Sequence, residues 1–178
     1  MRLFVAVNPP ARAIQELADA ASSLRELPGA DRLRWSGSAG WHLTLAFLGE
    51  VPADEVPLLS DKLAEVAASH PRHRLRLAGG GTFGDRVLWC GVTGETHALR
   101  RLADAVRDAL DITDDHPFHP HLTLARSRFG ASGMRGMAAA MDRFRGTEWE
   151  AGRIHLMRSE TGFGPARYTV VKEWPLRG

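Results

Sequence analysis

His42-Leu43-Thr44-Leu45 in the first half of the chain returns in the second half as His121-Leu122-Thr123-Leu124. Each copy follows a loop and lies in a run of strand-forming residues, Trp41 to Leu48 before Gly49 and His119 to Arg126. On a strand, residues i and i+2 face the same way. His and Thr of each copy therefore share one face, and both leucines turn to the other, toward a core. One such tetrapeptide is an ordinary half-buried strand. Two copies, each presenting His-x-Thr from a rigid element, describe a site built from two strands. The same parity puts Phe47 in the core with Leu43 and Leu45. It also takes Arg126 off the face of His121, since the two numbers differ by an odd step, unless a bulge intervenes.

The flanking sequence predicts a mixture of helices and strands. Arg2 to Val7 reads as a buried strand stopped by Pro9-Pro10. Ala11 to Leu27 reads as a helix with Ile14, Leu17, Ala18, Ala21 and Leu24 on one stripe. Arg32 to Trp35 is extended. Helices are expected at Ala53 to Ala68, Glu95 to Leu110 and, Met-rich, Met134 to Phe144. Further strands are expected at Arg72 to Leu77, Arg86 to Val92, Glu148 to Met157 and Tyr168 to Trp174. Gly79-Gly80-Gly81 reads as a loop that ends the first of these; it opens no helix and cradles no phosphate. Many short connections between mixed elements make the class α+β.

Composition sets the limits. The chain has 178 residues, 44% hydrophobic and 25% charged, which is ordinary for a globular domain and excludes disorder or a disulfide scaffold. A chain of this length buries roughly two-thirds of its unfolded surface. Net charge is +2, too small to announce a nucleic-acid binder, although all but two of the 23 basic residues are arginine. The lone cysteine, Cys90, sits in the apolar run from Val87 and reads as a core residue in a reducing compartment. No apolar run approaches the roughly 18 residues of a membrane span, and the N-terminus is too short in apolar residues for a signal peptide. A cytoplasmic location is expected.

Two histidines near neutral pH divide acid and base work between them. An imidazole titrates at about 6.5, so one ring can be neutral while the other is protonated. The neutral ring takes a proton from the nucleophile and the protonated one gives a proton to the leaving oxygen. Thr44 and Thr123 can donate hydrogen bonds to non-bridging oxygens as charge builds. This quartet suits chemistry at one phosphorus without a metal. The stretch His116-Pro117-Phe118-His119-Pro120-His121 holds three histidines, yet no Cys, Asp or Glu stands at ligand spacing around it, so no metal and no cofactor are expected. His119 shares a face with His121 and reads as its partner; His116 reads as a loop residue. Phe118 and Tyr168 read as core residues rather than base-stacking ones.

These residues resemble the 2H phosphoesterase superfamily, named for two His-x-Thr/Ser-x motifs, and within it the RNA 2′,3′-cyclic phosphodiesterases once called 2′-5′ RNA ligases. The resemblance extends to Met1 through Val7, to Trp41 through Glu50, to Phe118 through Arg126, and to the closing Arg158-Ser159-Glu160 through Tyr168 to Trp174-Pro175-Leu176. Trp41 stands where smaller or apolar residues are frequent in the family. The resemblance implies a bilobal fold: two pseudo-symmetric lobes of antiparallel sheet, with outer helices, around a central groove, in one domain spanning 1–178. It implies that His42 is the proton donor and His121 the acceptor, that Thr44 and Thr123 bind substrate, and that Arg126 contacts phosphate. The implied partner is RNA with a 2′,3′-cyclic phosphate end, tRNA fragments included, taken by a monomer without ATP and with reversible 2′-5′ ligation as a side activity. Two other readings remain: a phosphodiesterase for small cyclic phosphates, such as nucleoside 2′,3′-cyclic phosphates or ADP-ribose cyclic phosphate, and a non-catalytic RNA-binding module.

Overall fold

In the computed structural model, residues 1–127, 133–162 and 164–178 are described. Strand β1 (Arg2–Val7) turns Leu3, Val5 and Val7 into the core and leaves Phe4 and Ala6 on the opposite face with Met157. It lies between β3 (Leu43–Glu50) and β8 (Arg153–Glu160), with β9 (Arg167–Pro175) beyond β8. A second sheet has β2 (Arg34–Trp35) at one edge, then β6 (His121–Arg126), β5 (Val87–Gly94), β4 (His73–Phe83) and β7 (Trp149–Ala151). These strand pairings are all antiparallel. The two copies of the repeat thus fall in different sheets, on strands that touch.

Each helix lies where its apolar stripe is covered. Helix α1 (Ala11–Leu24) buries Ala13, Leu17, Ala21 and Leu24, and α4 (Met134–Ala140) buries Met134, Met137 and Ala138; both pack on β4. Helix α2 (Val56–Ser69) buries Leu63, Val66 and Ala67, and α3 (Thr96–Ala109) buries Leu99, Leu102, Ala103 and Val106. These two pack on each other, α2 also on β9 and α3 on β3. One hydrophobic cluster joins side chains of both sheets and these four helices. At about 1.5–3 kcal/mol for each fully buried Leu or Val, it is the main force holding the sheets together. The class is α+β, as the mixed pattern predicts. Cys90 is buried in β5, where desolvation pushes its thiol up to about 12.

The triple glycine does not end a strand. β4 runs straight through it, because Gly79 (φ +67) makes a bulge where the register slips between Ala78 and Gly80. The next two glycines are needed for space. A Cβ on Gly81 would stand 2.3 Å from Trp89 Cζ2, and one on Gly80 would stand 2.7 Å from Met141 Cβ. Nor is Glu148 to Met157 one strand. It splits at Gly152 into β7 and β8, which belong to different sheets, so the chain crosses from one layer to the other there. Periodicity cannot show such a crossing, since both halves alternate. Helix α1 stops at Leu24, before the left-handed Gly29 (φ +88), rather than reaching Leu27.

Candidate active site

His42 immediately precedes β3 and His121 opens β6, and the same local device holds each ring. Nδ1 of His42 donates to the Gly40 carbonyl at 2.7 Å, and Nδ1 of His121 to the His119 carbonyl, also at 2.7 Å. A carbonyl only accepts, so each Nδ1 carries the hydrogen and each Nε2 is left to exchange protons. Position 119 therefore serves His121 through its backbone. Its own ring packs on Trp89 with centroids 4.7 Å apart.

Aromatic rings pack against both imidazoles. Phe4 lies 4.6 Å from His42 between centroids, and Tyr168 meets it edge-on at 5.3 Å. Phe83 meets His121 edge-on at 4.9 Å, with Trp89 behind it at 6.3 Å. These packed surroundings have an electrostatic consequence. Burial, opposed by the hydrogen bond to Gly40, pulls the His42 pKa below its ordinary value, and the charges of His121 and Arg126 lower it further. His121 is lowered in the same way, first by burial and then by the charges of His119 and Arg126, against the His119 hydrogen bond. His42 borders β3, His121 and Arg126 lie on β6, and these two strands touch.

Thr44 pairs with Ala6 across β3–β1, and Thr123 with Trp89 across β6–β5; both are half-buried. Beyond each threonine the alternation breaks. Leu45 and Ala46 are both buried, and so are Leu124 and Ala125, because the register slips at each pair. Each bulge re-aims the side chains beyond it. Phe47 leaves the core predicted for it by strict parity and is 69% exposed, 6.1 Å from Phe4. Arg126 returns to the face of His121 and Thr123, pairing with Val87 on the side of β5 that carries Trp89. The signal was present in the sequence: the repeat has a fifth shared residue, Ala46 and Ala125, small enough to follow a leucine inward.

Tyr168 is at the site rather than in the core. It is exposed on β9 and packs against His42 and Phe4. Phe118 is buried as expected, beneath the Arg107 guanidinium. Trp41 is buried, its indole Nε1 donating to the Ser36 carbonyl at 3.1 Å. His116 is exposed. A hollow of about 190 Å³ opens beside His42, lined by Asn8, Trp41, Met157 and Tyr168 among others. It is smaller than the roughly 300–1,000 Å³ of an enclosing ligand pocket. Among the described residues no three His, Cys, Asp or Glu side chains converge as metal ligands, and no helix is long and apolar enough to cross a membrane.

Residues 7–163 match the family model of the 2′-5′ RNA ligase superfamily. An RNA 2′,3′-cyclic phosphodiesterase of Thermus thermophilus is 33% identical, over 100% of this chain and 91% of that protein. Another of that name, from Geobacillus stearothermophilus, is 32% identical over 98% of this chain, which spans only 57% of that protein's length. The crystal structure of Escherichia coli LigT in apo form superposes with a TM-score of 0.81 and 29% identity, covering 99% of this chain and 98% of that one.

Proposed function

This chain belongs to the 2′-5′ RNA ligase superfamily, and from that premise we propose that it hydrolyses the 2′,3′-cyclic phosphate ends of RNA to 2′-phosphates. The observation that carries the reading is the matched anchoring of His42 and His121, each held through Nδ1 by the carbonyl two residues earlier. In this reading His121 Nε2 takes a proton from water as the water oxygen bonds to phosphorus. The bond from phosphorus to the 3′ oxygen breaks, and His42 Nε2–H gives that oxygen its proton. Thr44 and Thr123 donate hydrogen bonds to the non-bridging oxygens, and the Arg126 guanidinium offsets the charge growing there. Strain in the cyclic ester supplies the driving force. An RNA 5′-hydroxyl in place of water yields a 2′-5′ linkage without ATP. The whole of 1–178 acts as one catalytic unit, a monomer working in the cytoplasm on RNA ends that include tRNA fragments.

The test is the product. The purified chain is given an oligoribonucleotide ending in a 2′,3′-cyclic phosphate, and the new monoester is located by NMR or by 2′-phosphate-specific transfer. A 2′-phosphate is expected. A 3′-phosphate, or no turnover, overturns the reading.

A further inference from the structure

Arg34 stands directly opposite Arg126 in the register of β2 and β6. Residues paired across antiparallel strands point to one side of the sheet. Arg126 pairs with Val87 on its other flank, and Val87 shares a face of β5 with Trp89, the partner of Thr123. Both guanidiniums therefore extend the face that carries His121 and Thr123. Both side chains are exposed, and neither forms an ion pair with the described residues. The remaining residues, 128–132 and 163, contain no Asp or Glu. Like charges facing each other on adjacent strands are destabilising in themselves. An anion between them reverses that sign.

The short strand that carries Arg34 is firmly pinned. The Trp35 indole Nε1 donates to the Ala30 carbonyl at 2.9 Å, and the Arg25 guanidinium covers its ring at 5.2 Å. The Ser36 amide donates to the Leu124 carbonyl at 2.8 Å, tying the strand's end to the bulge in β6. Arg34 thus projects from a fixed point beside Arg126, one strand spacing (about 4.8 Å) across the sheet from it.

We propose that Arg34 and Arg126 form a two-phosphate clamp, Arg126 on the reacting phosphate and Arg34 on the phosphodiester adjoining it, which makes the preferred substrate an oligoribonucleotide rather than a mononucleotide. The proposal rests on the function given above. A guanidinium fork suits a phosphate with two free oxygens. A mononucleotide cyclic phosphate has a single phosphorus and leaves Arg34 without a partner.

The experiment measures dissociation constants of the full chain for two product ends, an oligoribonucleotide bearing a terminal 2′-phosphate and the matching nucleoside 2′-phosphate. The wild type is expected to prefer the oligonucleotide. Arg34→Ala and Arg34→Gln are each expected to lose at least about 10-fold of that preference, with Arg34→Lys in between. The dependence of log K on log salt for the oligonucleotide should flatten by about 0.7, the contribution of one single-strand phosphate. A preference unchanged within twofold in both neutral variants overturns the clamp, as does a wild type without preference. Absence of turnover on any cyclic phosphate overturns the functional reading instead, and the binding comparison still decides the clamp.

Discussion

The Nδ1–H to carbonyl bonds of His42 and His121 leave each ring one working nitrogen, while burial pulls both pKa values down. The sign matters for rate. With both pKa values below the ordinary value, the free enzyme at pH 7 holds mainly two neutral rings, and the productive form with one proton grows as pH falls. We therefore expect kcat/KM to peak below about pH 6.5 and to fall again once both rings are protonated. The phosphate's negative charge favours protonated imidazole, so the kcat optimum is expected at higher pH than that of kcat/KM. Arg126→Gln removes a positive charge that lowers both rings and is expected to move the kcat/KM profile to higher pH; an unmoved profile would show that the guanidinium does not act on them. Thr44→Ala and Thr123→Ala are each expected to fold normally and lose about 2–4 kcal/mol of transition-state stabilisation, on the order of 10²-fold or more in kcat. A rise confined to KM would mean that the hydroxyl holds ground and transition states alike. The acid and base roles separate on leaving-group chemistry. A substrate whose departing group has a low pKa should rescue His42→Ala and leave His121→Ala inactive, and the reverse pattern would exchange the roles.

Strand elements set the aim of these residues through small side chains. The bulges after Thr44 and Thr123 bury two residues in succession, Leu45-Ala46 and Leu124-Ala125, and so restore Phe47 and Arg126 to the groove side. In β4 the equivalent device is glycine. Trp89 lies across Gly81 and backs His119 and His121, a position open only because no Cβ stands there. Gly81→Ala is accordingly expected to displace the indole, costing about 1–3 kcal/mol through overpacking. At about 2–4 °C per kcal/mol for a chain of this size, Tm falls visibly, and the near-UV signal of Trp89 changes with it. A variant with wild-type Tm and spectrum would mean that Trp89 is not held against that glycine.

At the scale of the whole molecule, the site exists because two sheets bring β3 and β6 together over a shared core. The proposed chemistry draws both protons from imidazole and its charge stabilisation from hydroxyl and guanidinium groups. Turnover is therefore expected to survive exhaustive EDTA treatment; activity lost to EDTA and returned by one divalent ion would refute it. Much was legible in the sequence alone. Local periodicity defined β1, the strands of the two motifs, the buried stripe of α1 and the presence of α2 and α3, because alternation and the helical repeat are properties of neighbouring residues. The repeat itself named His42, Thr44, His121 and Thr123 as candidates and put the His and Thr of each copy on one face. Tertiary structure alone decided the rest. Whether Gly79-Gly80-Gly81 turns or continues a strand depends on Met141 and Trp89, far along the chain or on another strand. Whether Phe47 and Arg126 face the core or the groove depends on a slip in register against a partner strand. Which sheet receives β7 and which receives β8, and that Arg34 meets Arg126, are likewise facts of pairing. Hydrogen bonds between strands join residues that the sequence leaves far apart, and one residue of slip reverses every side chain beyond it.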